Sequence, residues 1–114
     1  MDKNKKSWIG VDFDGTLSTY YGWQDPRNGK PIKIMVDRVK KWIDEGRVVK
    51  IMTARVSSTN PDPRSILDQR AYLQDWCEKH IGRRLEITCE KDHLMEELWD
   101  DRARRVVFNR GMEY

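Results

Sequence analysis

A four-residue apolar run, Trp8-Ile9-Gly10-Val11, stops abruptly at Asp12-Phe13-Asp14-Gly15-Thr16. The run reads as a short buried strand, so charge arrives at its C-terminal end. In an open α/β sheet, ligands bind just outside the carboxyl ends of the strands. Strand alternation predicts Asp12 and Asp14 on one side of the backbone and Phe13 on the other. Two carboxylates held that close repel each other unless a cation or a shared proton lies between them. Gly15 permits a sharp turn, and Thr16 adds a hydroxyl. Taken alone, the segment also fits a solvated Asp-Gly turn.

The rest of the chain alternates strand and helix signals. The first strand is expected over about Ser7 to Val11, followed by an irregular stretch from Leu17 to Pro31. A helix is predicted from Ile32 to Glu45, because Met35, Val36, Val39, Trp42 and Ile43 fall at helical spacing. Gly46 suits the position just past its end. Val48 to Met52 reads as a second strand, apolar enough for the centre of a parallel sheet. A loop from Arg55 to Pro63 leads into a helix from Arg64 to His80, with Asp62-Pro63 as cap and first turn. Leu67, Ala71, Leu73, Trp76 and Cys77 are expected on or near its buried face. A third strand, Leu85 to Cys89, precedes a short helix at His93 to Glu97, a fourth strand ending at Trp99, and a fifth at Val106-Val107-Phe108. This alternation predicts an α/β fold with a central parallel sheet and helices on both faces.

Further polar groups stand at the ends of these strands. Thr53 follows the second, Asp100-Asp101 follows Leu98-Trp99, and Lys91 lies nine positions before Asp100. Singly, Thr53 fits a structural strand end, Lys91 a solvated surface lysine and Asp100-Asp101 a turn. In that order and strand context, the set resembles the haloacid dehalogenase (HAD) superfamily of magnesium-dependent phosphohydrolases. The resemblance spans about residues 7 to 108. Asp-Asp-Arg-Ala at 100–103 resembles small phage and bacterial members and the phosphatase domain of phage polynucleotide kinase.

The resemblance implies a Rossmann-like three-layer sandwich with the first strand central. It also implies phosphomonoester hydrolysis, with Asp12 as nucleophile and Asp14 as general acid and base. The implied Mg2+ ligands are Asp12, the backbone carbonyl of Asp14, Asp101 as the closer second carboxylate and Asp100 in support. Thr53 would hydrogen-bond a phosphate oxygen, Lys91 would offset negative charge, and Thr16 beside Gly15 would support the turn. Arg55 and Arg102 each follow a motif directly; Arg suits bidentate anion recognition. His80 and His93 stand at no ligand spacing. His80 is expected at a helix tail, where a cation suits the dipole.

At 114 residues the chain is expected to form a single domain with a basic tail at 1–6. No run approaches the ~20 apolar residues of a membrane span. The basic start lacks an apolar segment, and Cys77 and Cys89 lack metal spacing. A cytoplasmic protein with buried, reduced thiols is expected. The net charge of +3 permits an anionic substrate without demanding nucleic acid.

HAD enzymes often carry a cap domain inserted after the first motif or between the second and third. Here those gaps, Leu17 to Pro31 and Arg55 to Pro63, are too short to fold independently. A capless, open site is therefore expected. Tyr20, Tyr21 and Trp23 lie in the first gap, with Arg27 and Lys30 close behind. Aromatic faces among basic residues suit stacking on a nucleobase beside a phosphate; a self-packed flap or a dimer contact fits them slightly better. The expected partner is a phosphorylated substrate, with a nucleotide or a nucleic-acid end among the candidates, acted on by a monomer or homodimer. A broad-specificity phosphatase of small metabolites and a catalytically idle HAD-fold binding module are the alternatives. The motif GxxxxGK[ST] is absent, so no kinase activity is expected.

Overall fold

The computed structural model describes residues 6–114. Most of the expected basic tail, residues 1–5, lies outside the described residues. Four strands, β1 (Trp8–Val11), β2 (Val48–Met52), β3 (Glu86–Thr88) and β4 (Met95–Trp99), form a parallel sheet in the order β3-β2-β1-β4. Helix α1 (Lys33–Asp44) joins β1 to β2, and α2 (Pro63–His80) joins β2 to β3. The α/β class and the central parallel sheet are as the sequence predicts and are compatible with a Rossmann-like fold.

The placement of the helices is not. Ile9 pairs with Val49, and Val11 pairs with Ile51 on one side and Trp99 on the other, so these side chains share a face. Met35, Val36 and Val39 of α1 and Leu73, Trp76 and Cys77 of α2 all join the cluster on that face. The reason is topological. The two crossovers step in the same direction across the sheet, and right-handed connections in one direction put their helices on one side. The expected three-layer sandwich is thus two layers of regular structure.

The opposite face carries Trp8, Gly10, Lys50 and Leu98 and is crossed by the connector 89–94. Asp92 of that connector accepts a hydrogen bond from Trp8 Nε1 at 2.8 Å, while Lys50 Nζ sits 4.7 Å from the Trp8 ring centre. Trp8 is thereby buried without a helix above it. Gly10 leaves room beneath it, since a Cβ there would lie 3.1 Å from the Trp8 ring and 3.2 Å from both Leu98 and Met95, which would have to give by a few tenths of an ångström.

Local signals explain the helix ends. Asp62 caps α2 by accepting from the Arg64 N–H at 3.0 Å, with Pro63 in the first turn. Leu73, Trp76 and Cys77 are buried as expected, but Leu67 and Ala71 are exposed, and Ile66 packs against the core instead. The segment read as a short helix at His93 to Glu97 is the start of β4. Its Met-Glu-Glu-Leu sequence has good helix formers, but pairing with β1 overrides that local preference. Val106 makes an isolated antiparallel bridge with Glu113 in place of a fifth strand. Cys77 is buried, whereas Cys89 is exposed. No helix among the described residues is long and apolar enough to cross a membrane.

Candidate active site

Because β1 and β4 are neighbours, their C-terminal ends bring Asp12 beside Asp100 and Asp101. The Asp12 N–H donates to the Trp99 carbonyl at 2.9 Å and ties the two ends together. One carboxylate oxygen from each of the three aspartates lies within 4.8 Å of the others. Thr16 Oγ1 stands 3.2 Å from Asp101 Oδ1 and 3.4 Å from Asp12 Oδ2, so its single proton serves one carboxylate at a time. Asp100 Oδ1 accepts from the Arg102 N–H at 2.8 Å.

Burial and negative neighbours act together on Asp12. Loss of water comes first, then contact with the Asp101 carboxyl, then the charges of Asp100 and Asp101. They push Asp12 up to about 7, against a smaller opposing pull from the Phe13 N–H. A half-buried carboxylate facing two others is costly unless a cation or proton intervenes. All the side-chain donors are hard oxygens, the set suited to Mg2+.

The turn after β1 separates the two first-motif carboxylates. Regular pairing ends at Val11, and the Phe13 carbonyl then accepts from the N–H groups of Thr16, Leu17 and Ser18. Phe13 is fully buried, its ring edge-on to Trp76 at 4.9 Å. Strand alternation therefore stops too early to put Asp14 with Asp12. Asp14 instead meets Arg55. Arg55 Nη2 donates to Asp14 Oδ1 at 2.7 Å and Nε donates to Oδ2 at 2.9 Å, while Nη1 donates to Gln69 Oε1 at 3.0 Å. The Asp14 carboxylate strengthens the charged form of Arg55. Gly15 has φ +83°, a backbone that favours glycine, and a Cβ there would lie 2.8 Å from Asp101 Oδ2 and displace that carboxylate.

The other expected site residues divide. Thr53 is buried at the end of β2, its Oγ1 accepting from the Arg55 N–H at 3.2 Å and its own N–H donating to the Thr88 carbonyl. Thr53 thus starts the single 3₁₀ turn, Ala54–Val56, that presents Arg55. Lys91 is exposed in the β3–β4 connector, makes no hydrogen bond or ion pair among the described residues, and does not line the cleft beside the carboxylates. That cleft, about 680 Å³, is lined by Asp14, Gly15, Arg55, Asp101 and Arg102 together with Tyr20 and Trp23, while Asp12, Asp100 and Thr53 stand beside it rather than in its lining. His93 is exposed. His80 packs on Trp76, and desolvation with the nearby Lys79 holds it below the usual imidazole range, which disfavours the cation expected at the helix tail.

Sequence reading missed Ser65 and Gln69, which also line the cleft. Their spacing of four puts them on one polar stripe of α2, a signal that identifies a shared face and not what the face opens onto.

No protein-family model and no curated protein matches the chain. A solved structure of a conserved Bacteroides thetaiotaomicron protein is similar, with a TM-score of 0.56 and 21% identity over 87% of this chain and 78% of that one. The likeness concerns the fold.

Proposed function

We propose that this chain is a capless, HAD-type phosphomonoester hydrolase that works with Mg2+ through an aspartyl-phosphate on Asp12. The observation that carries this reading is the convergence of Asp12, Asp100 and Asp101 at the carboxyl edge of a parallel sheet, beside a separately held Asp14 and an open cleft. Asp12, Asp100 and Asp101 would hold the Mg2+, which when bound supplies charge neutralisation for the carboxylates and the phosphoryl group.

In this reading an Asp12 carboxylate oxygen attacks phosphorus, and the bond from phosphorus to the ester oxygen breaks. Asp14, protonated at that stage, gives its proton to the departing oxygen. It then takes a proton from the water that attacks the aspartyl-phosphate, which releases inorganic phosphate and restores Asp12. Asp14 begins as a carboxylate forked by Arg55. A substrate phosphate competes for the same guanidinium, and the freed Asp14 carboxylate takes from water the proton that it later gives to the departing oxygen. Thr53 anchors the turn that places Arg55.

The test is phosphate release from a generic aryl phosphate, with and without Mg2+, by wild type and Asp12→Asn. Mg2+-dependent turnover lost in the variant supports the reading. Mg2+ binding with no turnover on a broad panel rejects it in favour of an idle binding module.

A further inference from the structure

The flap from Thr19 to Lys30 is held from within. The Thr19 N–H donates to the Lys30 carbonyl at 2.8 Å, and the Gly29 N–H donates to the Thr19 carbonyl at 3.0 Å. Asn28 spends its whole carboxamide on the flap backbone, accepting from the Tyr21 N–H and donating to the Gly22 carbonyl, both at 2.7 Å. Arg27 forks Asp25 and covers the Tyr21 ring at 4.0 Å. Trp76 Nε1 pins the flap to α2 through the Gly29 carbonyl at 2.9 Å.

Trp23 takes no part in this framework. It is 84% exposed and forms the lip of the cleft, next to Gln24, a non-glycine residue held at φ 58°. An ordered loop that presents a bare indole to a cleft, with strained backbone beside it, is built to meet something flat. Also in the lining, the Gln69 amide nitrogen has no partner among the described residues while Oε1 accepts from Arg55, and Ser65 Oγ accepts from Asn60 while keeping its own proton to donate. Gln24 makes no hydrogen bond among the described residues. The cations of the lining are Arg55, which Asp14 holds, and Arg102, and the remaining lining residues beside the carboxylates and Gly15 are aromatic, amide or hydroxyl side chains.

We infer that the group esterified to the phosphate is a nucleoside, its base stacked on Trp23 and its polar edge met by Gln24, Ser65 and Gln69. This rests on the phosphomonoesterase reading for the chemistry, but not for the stack. A sugar phosphate lacks the flat face, and a second anion finds only Arg102 among the lining cations once Arg55 serves the first. A free mononucleotide and the terminal nucleotide of a strand share this chemistry.

The test is calorimetric binding in Mg2+ of a nucleoside monophosphate, ribose 5-phosphate and a 3′-phosphorylated dinucleotide. Asp12→Asn protein is used, so that nothing is consumed, with and without Trp23→Ala or Trp23→Phe. Turnover of the same compounds by wild type and by the two Trp23 variants alone is read in parallel. The nucleoside phosphates should bind about 10-fold or more tighter than ribose 5-phosphate. Trp23→Ala should erase that margin and Trp23→Phe should keep most of it, with melting temperature unchanged. The tighter of the two nucleotide ligands identifies a free nucleotide or a strand end as the source. Equal binding of ribose 5-phosphate, or a margin indifferent to Trp23→Ala, overturns the inference even if the enzyme hydrolyses all three. A Trp23-dependent margin without turnover upholds the stack and rejects the phosphatase instead.

Discussion

Arg55 grips both carboxylate oxygens of Asp14, with its third nitrogen on Gln69. The guanidinium lies 5.3 Å from the Phe13 ring centre and 5.7 Å from that of Tyr72, so aromatic faces limit where it can swing. Arg55→Ala should lower turnover about 100-fold, the usual scale for loss of one preorganised charged donor. Arg55→Lys should restore little, since a point charge cannot fork a carboxylate. Steady-state kinetics on an aryl phosphate decide this; full rescue by lysine would show that only net charge matters.

Asp12→Asn should abolish turnover yet raise the stability of the metal-free protein. Asp12 titrates at about 7 in the fold, against about 4 for an ordinary aspartate. The native state therefore holds the proton more tightly than the unfolded chain. Metal-free stability should fall as pH rises from about 4 to 7 and level off above that range. Mg2+ favours the ionised form, so its gain in melting temperature should be larger at pH 8 than at pH 5. Thermal melts in chelator and in Mg2+ check both signs. Asp12→Asn should lose most of this pH dependence; a metal-free wild type that becomes more stable than the variant toward pH 8 would refute the explanation.

Gly15→Ala combines a left-handed backbone with a clash against Asp101. The backbone should cost ~1–3 kcal/mol. Because the clashing atom belongs to a movable side chain, the second effect should appear as weaker Mg2+ binding rather than further instability. Denaturant unfolding and metal titration separate the two, and unchanged Mg2+ affinity would show that Asp101 does not ligate.

The two cysteines should react very differently. Burial pushes the Cys77 thiol up to about 11, and it is sealed in the core beneath α2, while Cys89 is exposed after β3. A thiol reagent at pH 8 should modify one group in native protein and two in denaturant, counted by mass spectrometry. Rapid native labelling of both would mean that the α2 face opens readily.

The strands ending in acidic pairs, the helical spacing of α1 and the Asp62-Pro63 start of α2 were legible in the sequence. Their signals are local: alternation, period and capping. The end of β4 at Trp99 is legible too, but its first half reads as helix because those residues favour helix and only pairing with β1 reverses that preference. Leu67 and Ala71 were misplaced because helical period identifies a stripe, not where the neighbouring sheet ends.

Residue types and their order were enough to establish the α/β class and the carboxylates at the strand ends, because strand and helix periods are properties of short segments. The meeting of Asp12 with Asp100 and Asp101 depends on β4 lying beside β1. The shared face of the two helices depends on both crossovers stepping the same way. Arg55 reaches Asp14 across 41 positions because a 3₁₀ turn at the end of β2 aims it there. These are contacts between segments distant in the chain. Strand order and packing set them, and no spacing of residues along the chain encodes either.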